Sequence, residues 1–217
     1  MEGRVLLEIY NSLTRQREAF ESLEPGVARM YVCGITPYDV GHLGHALVFV
    51  TFDVVRRYLE FNSYDVKHIQ NITDIDDDMV RKSRELRISI PELTDRNHAV
   101  YLHEMDALNV LRPDAFPRVS QSLPEIIELV ELLLARGHAY IVGGYVFFDS
   151  TSCADFGALS GRTREELQAG PISDSVPDEP DELKRDPLDF MLWQPSDVPD
   201  AQFPSPWGLG RPGWHIE

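Results

Sequence analysis

The stretch that most constrains this chain runs from 28 to 70. Residues 28–33 form a short β-prone run, and Gly34, Pro37, Gly41 and Gly44 then break the chain into a turn. A long helical pattern follows His45, with Val48, Phe52, Val55 and Leu59 on one face and Arg56, Arg57 and Glu60 off it, until Asn62-Ser63 ends it. Residues 64–70 then alternate and are rich in β-formers. Strand, turn, helix and strand in that order predict a βαβ unit, hence a parallel sheet and an α/β fold. Ligands of such sheets bind beyond the carboxyl ends of the strands. Cys33 and Asn71 both fall there, so their surroundings are expected to be neighbours in space.

Chemistry concentrates at the start of that helix. His42 and His45 stand one turn apart, and Gly41 and Gly44 beside them let a ligand approach the backbone closely. A helix N-terminus offers unpaired N–H groups and the positive end of the macrodipole, which suits phosphate. Two imidazoles there can also donate to phosphate oxygens and to charge developing at phosphorus. The plainer alternative is a pair of polar helix caps.

Further along, Asp74, Asp76, Asp77 and Asp78 precede a helical pattern, where most are expected to cap or to complement the dipole. Pro91 opens a helix over about 91–109, with Leu93, Val100, His103 or Met105, and Leu108 roughly on one side. His98 and His103 are read as ordinary histidines, because their spacing does not suit a metal pair on one helix face. Pro113 and Pro117 mark a break. A helix from Pro124 buries Ile126, Ile127, Val130, Leu133 and Leu134 and stops at Gly137. Residues 139–142 and 145–149 read as a hairpin about Gly143-Gly144. Residues 4–10 are expected as an edge strand, and 161–189, rich in Gly, Pro and acids, as a mobile surface segment.

The totals narrow the class only a little. The 217 residues carry 36 acidic and 20 basic side chains, a net charge of -16, which argues against a broad basic nucleic-acid face. A hydrophobic fraction of 43% belongs to a folded chain. The two cysteines, Cys33 and Cys153, show no disulfide framework. The first residues lack an apolar signal region and no stretch approaches a membrane span, so a cytoplasmic protein with reduced thiols is expected.

The run His42-Leu43-Gly44-His45 resembles the H-I-G-H signature of class I aminoacyl-tRNA synthetases, with Leu43 in place of Ile. Three further blocks narrow the likeness to cysteinyl-tRNA synthetases: 31–34 (YVCG), 71–77 (NITDIDD) and 210–217 (GRPGWHIE). A close paralogue, the mycothiol-pathway cysteine ligase, shares these blocks. The resemblance implies an incomplete Rossmann-like parallel sheet with an inserted α+β connective segment. It divides the chain into a first catalytic half (1–117), the insertion (118–190) and the start of a second half (191–217).

It further implies that the carboxylate of L-cysteine attacks the α-phosphorus of ATP, with Mg²⁺, to give cysteinyl-adenylate, which is then passed to tRNA(Cys). By the same resemblance His42 and His45 are catalytic, and Gly41, His42, Gly44 and His45 bind ATP. Cys33, Gly34, Thr73 and Trp214 form the cysteine pocket, with Tyr38 and Asp39 beside it. Cys33 is the matching zinc ligand, and the Zn–S bond it implies separates cysteine from serine better than pocket size could. The other family ligands and the K-M-S-K-S loop match nothing up to Glu217, so Cys33 alone is not expected to hold zinc. Cys153 lies in no matching motif. Two other readings stay open: a ligase passing the adenylate to a small amine such as glucosaminyl-inositol, and a non-catalytic binding remnant.

Overall fold

The computed structural model describes residues 7–169, 180–214 and 216. An N-terminal hairpin pairs β1 (Glu8–Asn11) with β2 (Gln16–Ala19), antiparallel. Residues 4–6 of the expected edge strand lie outside the described residues, and its partner β2 was not anticipated from the sequence. Next come β3 (Val27–Ile35), α1 (Leu43–Phe61) and β4 (Asp65–Ile72), with β3 and β4 parallel as the βαβ pattern requires. The helices α2 (Asp77–Leu86) and α3 (Ile90–Ala107) follow. The chain then returns to β4, where 115 and 118 make parallel bridges with Ile69 and Ile72. Ile72 N–H donates to the Pro117 carbonyl at 2.8 Å, so this proline-flanked segment works as a short third strand rather than a plain break.

The second part begins with α4 (Leu123–Ala135), which is stopped by Gly137 at φ 77°. Strands β5 (Ala139–Val142) and β6 (Tyr145–Phe148) form the expected hairpin, with Gly143 and Gly144 both at positive φ. The described part of 161–189 contains a short helix, α5 (Arg164–Gln168), closed by a capping box between Thr163 and Glu166. Residues 170–179 of that expected mobile segment lie outside the described residues. Strands β7 (Phe190–Pro195) and β8 (Gly210–Pro212) complete an antiparallel sheet in the order β5-β6-β7-β8. Met191, Leu192 and Trp193 are buried in it. Their strand pairs with the hairpin at 145–148, so hydrogen bonding runs continuously across position 190.

The two parts share a core. Met79, Ile90 and Leu93 from α2 and α3 pack with Val119, with Ile126 of α4 and with Ala201 from the loop before β8. Asp200 accepts from Ile90 N–H at 3.2 Å, and Arg211 pairs with Asp77.

The face of α1 matches the expected one at Val55 and Leu59, which pack with Ala28 and Val66, and departs from it in the first half of the helix. Phe49, Asp53 and Leu59 are the buried positions, whereas Val48 and Phe52 are exposed. Burial follows polar anchoring here. Asp53 accepts Leu111 N–H at 2.8 Å and pairs with Arg57 at 2.6 Å, while Phe49 meets the Tyr101 ring of α3 edge-on. Leu47, Val54 and Phe61 point outward, 71%, 60% and 83% exposed.

The aspartate run also divides. Asp76 is the cap of α2, accepting from Asp78 N–H at 2.6 Å and Met79 N–H at 3.4 Å. Asp74 instead holds Ser120 through its backbone N–H at 2.9 Å, Asp77 pairs with Arg211, and Asp78 pairs with Arg81. Capping therefore accounts for one of the four, although Asp77 and Asp78 still lie in the first turn, where the dipole favours them.

Two outcomes are expected. At Gly34 a Cβ would collide with the Asn71 carbonyl oxygen, backbone that cannot swing away. Gly34→Ala should lower stability by about 1–3 kcal/mol in a urea titration; an unchanged midpoint would show that β3 and β4 can separate there freely. Burial pushes the Asp76 carboxyl up to about 6, against the opposing pull of the two N–H groups that it caps. Its stabilising contribution is complete below the unfolded value of about 3.9 and is lost as pH rises through about 6. Asp76→Asn keeps the cap acceptor without the buried charge. It should gain on the wild type by about 3 kcal/mol between acid and neutral pH, and a pH-independent difference would refute this.

Candidate active site

The turn after β3 is held at several points before it reaches α1. Asn97 of α3 donates to the Pro37 carbonyl at 2.8 Å. Lys82 of α2 reaches Asp39 at 3.1 Å. The backbone N–H of Val40 and then Lys82 hold the Asp39 carboxyl below the usual carboxylate range. Tyr38 packs onto the core formed by Ile75, Met79 and Leu93. Tyr38 and Asp39 are thus anchored to α2 and its core.

At the end of this turn the two histidines form a capping box. His42 is the N-cap of α1, and its Nδ1 accepts Gly44 N–H at 3.1 Å. The Nδ1 of His45 accepts His42 N–H at a long 3.4 Å. The rings stack, 4.0 Å between centroids and 14° between planes. A ring nitrogen that accepts a hydrogen bond carries no proton, so each neutral imidazole keeps its proton on Nε2. Capping and chemistry are not alternatives here, since the cap selects the tautomer with the Nε2 donor.

A Cβ on Gly44 would lie 2.8 Å from the His42 ring, so the glycine makes room for this cap. Burial, and then the neighbouring His42, lower the pKa of His45, while Glu104 opposes them. Gly41, His42, His45 and Ala46 line an open cleft of about 440 Å³ together with Glu104 and Met105 of α3 and Leu108 just beyond it.

The expected cysteine-pocket residues gather at the carboxyl ends of β3 and β4, with Trp214 as the exception. Asn71 ties them together: its Oδ1 accepts Gly34 N–H at 2.7 Å, and its Nδ2 donates to Thr73 Oγ1 at 3.2 Å. Thr73 is buried, and Cys33, next to Gly34, is an exposed thiol. The expected adjacency of Cys33 and Asn71 is therefore met. Trp214 is partly exposed, 40%, at the far end of the β8 segment, and it lines neither the histidine cleft nor the apolar cavity beside Asn71. That second cavity, about 230 Å³, is lined by Tyr31, Asn71, Pro117, Ile126, Leu129 and Ile216 among others. His215 and Glu217 lie outside the described residues.

Among the described residues no three His, Cys, Asp or Glu side chains come together as a metal site. Cys33 supplies a single sulfur, which does not by itself fit a zinc ion. His98 packs against Phe116 and Tyr101, and His103 is exposed. Among the described residues, no helix is long and apolar enough to cross a membrane.

Sequence reasoning missed Asn97 and Glu104. With Tyr101 they recur along one face of α3, and that spacing was the available signal. It was masked because this helix was read only for its apolar residues and its histidines.

Comparison with known proteins identifies the family. The model of the class I (C) tRNA synthetase catalytic domain matches residues 19–217. The cysteine–tRNA ligase of Cronobacter sakazakii is 49% identical over 216 residues, 98% of this chain and 45% of that protein. The enzyme of the same name from Shewanella loihica is 49% identical over 213 residues, with the same coverage. Among solved structures, Mycobacterium tuberculosis methionyl-tRNA synthetase bound by methionyl-adenylate is 22% identical with a TM-score of 0.49, over 52% of this chain and 23% of that one. This chain spans about 45% of the length of the curated relatives it matches. It belongs to the cysteinyl-tRNA synthetase family of class I and represents part of the catalytic domain of that family.

Proposed function

We propose that the protein to which these residues belong activates L-cysteine with ATP, forming cysteinyl-adenylate, and transfers the cysteinyl group to tRNA(Cys). The observation that carries the reading is the histidine capping box, which leaves two Nε2 donors at the N-terminus of α1. With ATP in the cleft, these donors and the helix N–H groups meet phosphate oxygens. The carboxylate of cysteine attacks the α-phosphorus in line, the bond to the bridging oxygen breaks, and pyrophosphate leaves. No protein nucleophile is required. Rate comes from positioning and from stabilising charge as it spreads over the phosphoryl oxygens.

Cysteine itself is assigned to the carboxyl ends of β3 and β4, where Cys33, Gly34 and Thr73 surround Asn71; Trp214, which lines neither cavity, would have to move to form a further wall. Mg²⁺ would arrive with the nucleotide. Zinc would take Cys33 as one ligand, with the rest supplied from outside the described residues, and would select the substrate thiol. The tripartite division at 117 and 190 and a cytoplasmic location belong to the same proposal.

The test is cysteine-dependent exchange of labelled pyrophosphate into ATP. Exchange is expected, and His42→Ala and His45→Ala are each expected to lower it by about 10²-fold or more. Exchange equal in wild type and the double variant would overturn the assignment of the histidines. Exchange without charging of tRNA(Cys), but with capture by a small amine, would move the acceptor assignment to the paralogous ligase. No cysteine-dependent exchange at all would leave the binding-remnant reading.

A further inference from the structure

We propose that Glu104 is a positioning residue of this site: its carboxylate, packed against Gly41 in the turn that carries His42 and His45, supplies the negative charge that faces His45. Three observations lead there. First, α3 runs along the turn with one face toward it. Asn97 holds the Pro37 carbonyl, Tyr101 meets Phe49 of α1 edge-on and accepts from Gln70 of β4 at 2.7 Å, and Glu104 reaches Gly41. Residues 97, 101 and 104 share that face by helical spacing.

Second, the fit at Gly41 is close. A methyl group there would collide with Glu104 Oε2, so the glycine and the carboxylate occupy complementary space. Third, Glu104 lines the same open cleft as both histidines.

The charged and titratable groups facing His45 are His42, from its own turn, and Glu104, from α3. His42 and burial disfavour a proton on His45, and Glu104 is the group that favours one. The long bond from His42 N–H to His45 Nδ1 is the one that protonation of His45 would break. A carboxylate is an unexpected neighbour for a phosphate site, and this balance gives it a purpose. Glu104 keeps the proton affinity of His45 within reach of an arriving polyphosphate, whose negative charge then completes the protonation. The imidazolium makes a stronger, charge-assisted bond to phosphate than the neutral ring.

The inference rests on the adenylate reading for its catalytic consequence, whereas its physical content is measurable without turnover. The experiment follows the ring carbon-bound proton of His45 by NMR through a pH titration, assigned by its loss in His45→Asn. Glu104→Gln is expected to move the His45 midpoint to lower pH, and Glu104→Asp to restore most of it. Gly41→Ala displaces the carboxylate and is expected to do the same as Glu104→Gln, with little added effect in the double variant. Removing a charge elsewhere on α3, by Glu92→Gln, is expected to leave the midpoint in place.

An unchanged midpoint in Glu104→Gln, with the fold intact by the dispersion of the spectrum, overturns the proposal. So does a Gly41→Ala effect that persists undiminished in the Glu104→Gln background. Repeating the titration with ATP should raise the midpoint in the wild type more than in Glu104→Gln, and an equal rise in both would also refute it. Absence of pyrophosphate exchange would count against the adenylate reading and leave the titration result standing.

Discussion

The parallel pairing of β3 with β4 is the constraint on which the rest of this structure depends. At its carboxyl end the register shifts between Val32 and Ile35, and Gly34 comes so close to Asn71 that no side chain fits between them. The amide of Asn71 fills the irregularity, accepting from one strand and donating to Thr73 on the other side. A backbone that is pinned there leaves β3 in a defined direction, and the turn from 36 to 42 inherits it. Helices α2 and α3 then fix the turn by polar contacts at Asp39 and Pro37. The histidines are thus placed by tertiary contacts at both ends of their loop as well as by the helix that they cap.

That arrangement gives a local structural role and a chemical role to the same atoms. An N-cap is ordinarily a short polar side chain such as Ser or Asp. Imidazole can do the same with one nitrogen and still present a donor at the far side of its ring, whereas a carboxylate has no donor and the O–H of a hydroxyl sits on the capping oxygen itself. Replacing either histidine by a better cap would therefore preserve the helix and remove the donor.

The sequence was informative where a single residue type answers a single physical need. Gly143-Gly144 announced a hairpin turn because both positions require positive φ. The βαβ unit followed from its periodicity, and the site followed from His42, His45 and the glycines beside them. It was less informative where apolar residues outnumber the buried positions. Helix α1 is apolar around most of its circumference, so its pattern could not tell that Phe49 and Asp53 face inward while Val48 and Phe52 do not. A buried aspartate decided the rotation, and no hydrophobic pattern contains that information. The strand-like segment at 115–118 was hidden by the prolines that flank it, which an edge position tolerates. Glu104 was invisible because its partner, a glycine, has no side chain with which to advertise a contact.

The continuous pairing from β5 to β8 bears on how the chain acquires its shape as it is made. β3 and β4 can meet as soon as α1 lies between them, since their contacts close a loop of modest length. The hairpin β5–β6 forms as readily, but the outer edge of β6 stays bare until β7 arrives from beyond residue 190. β6 is Tyr145–Phe148, with Val146 and Phe147 fully buried once the sheet is complete. For that interval on the ribosome, the chain carries a short, apolar, hydrogen-bond-hungry ribbon that any similar ribbon could pair with. While it stays open, that seam is an aggregation-prone edge. Changes that delay β7 would be felt as yield of soluble protein before they are felt as loss of stability.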